Sequence, residues 1–224
     1  MNYDYPGTIP PVNPTPGLQG ACTAEVFVSS DYNTETPGWG VSRFDDLTKA
    51  LFSVCAPGTV NISNYSHTGD IDISGRTLVI GDQDFEISGN IENGLIRAIG
   101  NGYLRQTPST GTELVFPITD GTNNYTATVT TSSPNGNIGI KINKNLPVSG
   151  TALVDFWDIS GEDNLNATLK LRIPKSALKK GSWSRTNIIR IHNGSRFVPV
   201  PASRVSIEEY PAYVIVSISG VNSF

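Results

Sequence analysis

The chain is poor in almost every feature that would announce a membrane, a nucleic-acid partner or a reactive centre. No apolar run approaches the roughly 18 residues that cross a bilayer, so no membrane span is expected. Charged residues make up only 16% of the 224, and 16 Lys+Arg against 20 Asp+Glu leave a net charge of -4. That balance supplies no basic stripe to neutralise phosphates, which argues against nucleic acid as a partner. The two histidines, His67 and His192, stand neither near a cysteine nor in metal-site spacing, and read as ordinary strand or surface residues. Ser109, Ser149 and Ser160 lie by glycines, but no Gly-x-Ser-x-Gly elbow occurs and they read as turn residues. No phosphate-cradling glycine loop is spelled either. Acyl-transfer and nucleotide chemistry are left without visible machinery.

What the chain has in plenty is glycine (22) and proline (15), with abundant Ser, Thr and Asn. This composition is typical of extracellular β proteins with polar rather than ionic surfaces. A chain of this length can bury about 70% of its unfolded surface, enough for one all-β domain or two small ones. Short apolar runs at 59–62, 70–73, 77–80, 85–87 and 95–99 follow one another almost end to end. Between them, Gly75-Arg76, Gly81-Asp82-Gln83-Asp84 and the stretch 90–94 favour tight reversals, because Gly and Asn accept positive φ cheaply. The spacing leaves no room for crossover helices and predicts a coil of rungs or a meander. Just before it, Phe44, Leu47, Ala50, Leu51 and Val54 recur at helical spacing, Ser42 fits as N-cap with Asp45 three residues on, and Pro57-Gly58 end the run. The apolar stripe of this single helix would cover the open end of the coil and protect its edge.

Three segments follow from these patterns. Residues 1–20, with five prolines and three glycines, read as a polyproline-like linker or arm. Residues 21–108 read as a helix-capped, solenoid-like section. Residues 109–224 read as an antiparallel β-sandwich, with strands near 113–118, 125–131, 138–143, 153–159, 167–173, 188–192, 197–200, 204–208 and 213–219. Alternation is plain in 167–173 and 213–219, where one face would be buried and the other wet. The expected class is mainly β. The two cysteines, Cys22 and Cys55, fit one disulfide tying the incoming segment to the end of the helix, as in an exported protein. The alternative is two buried free thiols. The first 20 residues lack the charged start and apolar centre of a signal peptide, so an exported chain would already have lost its leader.

Gly102-Tyr103-Leu104-Arg105, then Phe116-Pro117-Ile118 and Tyr125, then Val154-Asp155-Phe156-Trp157-Asp158-Ile159 and Ala167-Thr168-Leu169, resemble a module common in large cell-surface proteins of Bacteroidota. In that family a solenoid-like lead, here Gly75-Arg76-Thr77-Leu78-Val79-Ile80-Gly81, runs into a strand ending in Arg, a Phe-Pro-Val-Gly turn, a Tyr-containing strand and a Trp-x-Ile strand. A closing strand with a Ser-Phe ending follows, similar to Val221-Asn222-Ser223-Phe224. Thr36-Pro37-Gly38-Trp39-Gly40 with Phe44 and Ala50 is similar to the capped start of exported β-helix proteins. The resemblance covers about residues 36 to 224 and implies secretion, by the type IX route, to a bacterial cell surface. Ile118-Thr119-Asp120 departs from the usual Val-Gly of the turn, and no sorting signal is spelled.

Several residues are candidates for chemistry. Asp70/Asp72 and Asp82/Asp84/Glu86 are spaced two apart, so within a strand each set would project from one face, as in polysaccharide-acting β-helices; Asp82 and Asp84 would otherwise sit in a turn. Solvated rim charges guarding exposed strands are the plainer reading. Asp82, Asp84 and Asp120 are the candidate calcium ligands, with 120–124 and 162–164 offering oxygens, although neither stretch has a complete loop. No other cofactor is expected. Trp183, in a polar loop, and Trp39 are the candidate sugar-stacking residues, with Tyr32, Tyr65 and Tyr125 behind them, while Trp157 reads as buried. The function expected is a non-enzymatic structural or adhesive module, a spacer or contact domain of an exported surface protein. Its partners would be an extracellular glycan or cell-surface molecule, neighbouring domains, or identical copies forming a fibre. The alternatives are a carbohydrate-binding accessory module of a secreted enzyme and a small polysaccharide-acting β-helix enzyme.

Overall fold

The computed structural model describes residues 22–107, 113–131, 138–143, 156–160, 166–178, 190–192 and 197–221. Its contacts divide into two compact units, Met1–Tyr103 and Leu104–Phe224. The chain is mainly β, and a helix-capped β-solenoid is followed by an antiparallel sandwich.

The first unit contains β1 (Thr23–Val28), β2 (Arg43–Phe44), α1 (Leu47–Ser53), β3 (Val54–Ile62), β4 (Tyr65–His67), β5 (Ile71–Asp72), β6 (Thr77–Ile80), β7 (Phe85–Ile87), β8 (Ile91–Glu92) and β9 (Leu95–Ala98). Three parallel faces result. One runs β2-β1-β3-β6-β9, the second pairs β4 with β7, and the third pairs β5 with β8. Thr59 pairs with Thr77 and Thr77 with Leu95, so the chain returns to the same face after equal steps. Equal steps put like residues in vertical stacks: Val60, Leu78 and Ile96 are register partners and all are buried. Corners turn at Asn64, Ser74-Gly75 and Asn93, all with positive φ (44°, 46°, 79° and 53°). Gly and Asn tolerate that region best. Ser74 is held there by hydrogen bonds from its amide and hydroxyl to Asp72 Oδ1, at 2.7 and 3.1 Å.

Several details differ from the sequence expectation. The stretch 90–94, expected as one turn, holds β8: Ile91 points in, Glu92 points out, and the strand is too short to show a period. The helix is shorter than expected. Its N-cap is Asp46, whose Oδ1 accepts from Lys49 N at 2.9 Å, not Ser42, and Phe44 belongs to β2. Pro57 and Gly58 do not end the helix; they lie inside β3, in a bulge where Thr23 pairs with Val54 but Glu25 pairs with Thr59. Proline is tolerated there because a bulge interrupts the ladder. The bulge carries Cys55 to Cys22, and the two form a disulfide across a separation of 33 residues. Chain-entropy arguments put such a closure at about 3–4 kcal/mol. Leu47, Ala50 and Leu51 form the buried face of α1, packed on β1, β2 and β3.

The second unit contains β10 (Leu104–Gln106), β11 (Glu113–Thr119), β12 (Asn124–Thr131), β13 (Ile138–Asn143), β14 (Phe156–Ser160), β15 (Ala167–Pro174), β16 (Arg190–His192), β17 (Phe197–Pro199), β18 (Val205–Glu209) and β19 (Tyr213–Val221). Antiparallel pairing gives the orders β11-β12-β15-β19-β18 and β10-β13-β14, with β16-β17 as a separate ladder. Alternation sorts the first of these sheets cleanly. Phe116, Ala127, Leu171 and Val216 face in and are buried, whereas Thr126, Thr128, Lys170 and Ser206 lie on the open face. The strand expected at 113–118 is β11, so Phe116-Pro117-Ile118, which the resemblance compares with a turn, lie within it, and the reversal is made by Asp120 to Asn123.

Leu78 sits at the centre of the Val60-Leu78-Ile96 stack with no exposure. Leu78→Ala is therefore expected to lower unfolding free energy by about 2–5 kcal/mol, read by denaturant titration. Gly89 lies against the neighbouring rung so closely that a Cβ would come 2.1 Å from the backbone carbon of Gly69. Backbone cannot rotate away as a side chain can, so Gly89→Ala is expected to cost about 1–3 kcal/mol in the same measurement, although it adds only a methyl group.

Candidate functional site

Four aspartates of the solenoid stand at or beside its corners. Asp70 Oδ1 accepts from Asn90 N at 2.7 Å, across 20 residues. Asp72 Oδ2 accepts from Asn93 Nδ2 at 3.0 Å, across 21. Asp82 Oδ1 accepts from Asn101 N and Nδ2 at 3.2 and 3.3 Å, and Asp84 Oδ1 from Tyr103 N at 2.9 Å, each across 19. Each separation is one circuit of the coil. These carboxylates therefore join one rung to the next, using corner donors that no ladder reaches. The spacing by two has different origins: Asp72 and Glu86 do project outward from β5 and β7, while Asp82 and Asp84 lie in the turn before β7.

Asp82, Asp84 and Glu86 share an open depression of about 640 Å³ with Ser30, Asn64 and Tyr65. Tyr65 stacks on Phe85 at 6.4 Å and accepts from Leu47 N at 3.2 Å, so it ties β4 to the start of the capping helix. Burial pushes its phenol up. Among the described residues no group of three His, Cys, Asp or Glu side chains is placed to hold a metal ion. Asp120 is engaged in its own turn: Oδ1 accepts from Thr122 N and Asn123 N, both at 2.7 Å, and Oδ2 from the Tyr125 hydroxyl at 3.0 Å.

The aromatic candidates divide. Trp183 lies outside the described residues, as does the stretch 162–164. Trp39 is half-buried in the loop before β2, where it bridges to Arg43. Tyr32 carries the Arg43 guanidinium 5.9 Å above its ring, and Phe27 shares it at 5.3 Å. Tyr125, only 2% exposed, belongs to the core and offers no stacking face. Trp157 is on β14, with its side chain outside the described set. His67 and His192 are strand residues, in β4 and β16.

The sequence reading passed over a second depression, in the sandwich. Its volume is about 370 Å³, and Arg172, Tyr213, Pro174 and Asn124 contribute to its walls. Strand order brings these together, since β12 and β19 flank β15 on opposite sides and Pro174 pairs with Tyr213. Arg172 Cζ lies 4.1 Å from the centroid of Tyr213, and Tyr210 stacks on Tyr213 at 4.6 Å and 20°. The Tyr210 hydroxyl donates to Glu208 Oε2 at 2.9 Å, and that carboxylate holds the phenol above its ordinary range. The only trace in the sequence is a Tyr-Pro-Ala-Tyr turn and the outward positions of Lys170 and Arg172 in an alternating strand.

The hydrogen bond from Asn93, then that from the Ser74 amide, holds the Asp72 carboxyl below its ordinary range. A carboxyl so depressed contributes stability in full above its unfolded value and loses it as pH falls through the folded value. Asn93→Gly keeps the positive φ of that corner while removing the main cause. Its stability deficit relative to the parent is expected to be largest near neutral pH and to shrink in acid, read by unfolding at a series of pH values. Compared with protein-family models, curated proteins and solved structures, the chain matches none.

Proposed function

We propose that this chain is a non-enzymatic structural and adhesive module of an exported bacterial surface protein, in which stacked rungs and a sandwich display contact surfaces. The observation that carries the reading is the placement of Asp70, Asp72, Asp82 and Asp84: each accepts a hydrogen bond from the following rung, so the groups best suited to acid-base chemistry stabilise the coil. Three further features support it. The Cys22–Cys55 disulfide belongs with an oxidising compartment. The surface is polar and sparsely charged. The resemblance to Bacteroidota surface modules over residues 36 to 224 points to secretion, by the type IX route, and to neighbouring domains in a longer chain.

A carbohydrate-binding accessory role is the second reading, favoured by the aromatic and arginine-lined depression of the sandwich. Both readings expect binding without turnover. Antibody raised against the chain is expected to label intact cells that produce it, and the purified chain to release no product from a broad polysaccharide panel. Labelling confined to permeabilised cells would remove the surface role. Turnover abolished by Asp82→Asn or Asp84→Asn would replace it with an enzyme.

A further inference from the structure

We infer that the depression at the β18–β19 end of the sandwich is a receptor for the carboxylate of an acidic sugar, a hexuronic acid residue of a polysaccharide, with Arg172 as its anchor. The inference rests on the reading of this chain as a contact module and names the chemistry of one contact.

Arg172 is a cation on an exposed strand position with no partner anion among the described residues. Its guanidinium lies over the ring of Tyr213, the first residue of β19, and Tyr213 also stacks on Tyr210 in the turn between β18 and β19. Among the described residues nothing accepts a hydrogen bond from it and no carboxylate pairs with it. The neighbouring acids are engaged elsewhere. Glu209 pairs with Lys175 at 2.7 Å, Glu208 accepts from Tyr210, and Asp120 caps its turn. The depression itself is lined by no acidic residue.

The remaining walls suit a sugar. Thr122 and Asn124 bring a hydroxyl and an amide to the rim, and Pro174 and Ala212 supply apolar surface. The Ser176 hydroxyl donates to Asn123 Oδ1 at 2.7 Å, which orients that amide so that its NH2 remains a donor. One cation among neutral donors matches one carboxylate among hydroxyls. A planar guanidinium fork fits a carboxylate in two parallel hydrogen bonds, which an ammonium does not reproduce. At about 370 Å³ the space is at the small end of the range of about 300–1,000 Å³ for small-molecule sites, so it suits a sugar residue or two rather than a protein surface. With a net charge of -4 and no basic stripe, a polyphosphate chain is disfavoured.

The test is calorimetric titration of the whole chain with short oligogalacturonates and oligomannuronates, and with methyl-esterified oligogalacturonate, which keeps shape and loses charge. Saturable binding of at least one acidic oligomer and none of the ester is expected. Arg172→Gln is expected to weaken it by about tenfold or more, the loss of a charge-assisted hydrogen bond, and Arg172→Lys to recover only part of it. Asn124→Asp, at the exposed first residue of β12, places at the rim a charge of the same sign as the ligand carboxylate and is expected to weaken binding as much without altering the fold. Equal affinity for acid and ester, binding unchanged in Arg172→Gln or Asn124→Asp, no binding of either acidic oligomer, or equally tight binding of inorganic phosphate would each overturn the inference. None of these would touch surface location or lack of turnover, and turnover on the panel would sink the module reading without accounting for an Arg172-dependent affinity.

Discussion

The solenoid depends on satisfying the corners. Along its faces each rung hydrogen-bonds to the next through parallel ladders, but at each bend the chain leaves the ladder and its amides lose their partners. Aspartate supplies acceptors there. Most of these corner bonds are exposed, so each is worth about 0.5–1.5 kcal/mol rather than the full penalty of a buried unpaired donor, and that from Tyr103 to Asp84 is the part-buried case. Asp70, Asp82 and Asp84 each reach forward one circuit to a backbone amide, and Asp72 reaches both its own turn and the Asn93 side chain. The same device explains why strands of two residues, β5 and β8, hold their register.

This use of carboxylates bears directly on function. General acid-base chemistry needs groups that exchange protons with a substrate at close range, whereas an acceptor bound to backbone amides serves best by staying ionised. An exposed row of acids on a β-coil invites an enzymatic interpretation. Hydrogen bonding across 19 to 21 residues gives that row a structural purpose.

The sandwich works by a different rule. Its main sheet is amphipathic by alternation, with an apolar inner face and an outer face on which Thr, Ser, Lys and Arg stand beside Val115 and Ile215. At one end of that face stands the row of Arg172 on β15, Tyr213 on β19 and Tyr210 in the turn between β18 and β19. Stacking on a ring desolvates one face of the guanidinium at little cost and leaves its N–H edges directed outward. That geometry is the basis of the proposed carboxylate contact.

Period and turn chemistry made much of this legible in the residues themselves. The runs at 77–80 and 85–87, the alternation of 167–173 and 213–219, the single helix and the Cys22–Cys55 pair all rest on local preferences or on there being just two thiols to join. Ile91–Glu92 and Tyr65–His67 carry too few apolar residues to stand out as runs, unlike Phe85–Ile87, which is as short but apolar at both ends. The start of the helix was misread because Ser42 and Asp46 are both good caps, and the choice fell to Phe44 pairing in β2. Local sequence thus determined the class of fold, since hydrophobic periodicity and positive-φ residues act over a few positions. Tertiary structure alone decided which acids join rungs and which arginine lies on a tyrosine ring, because both depend on residues a full circuit or a strand apart coming into contact.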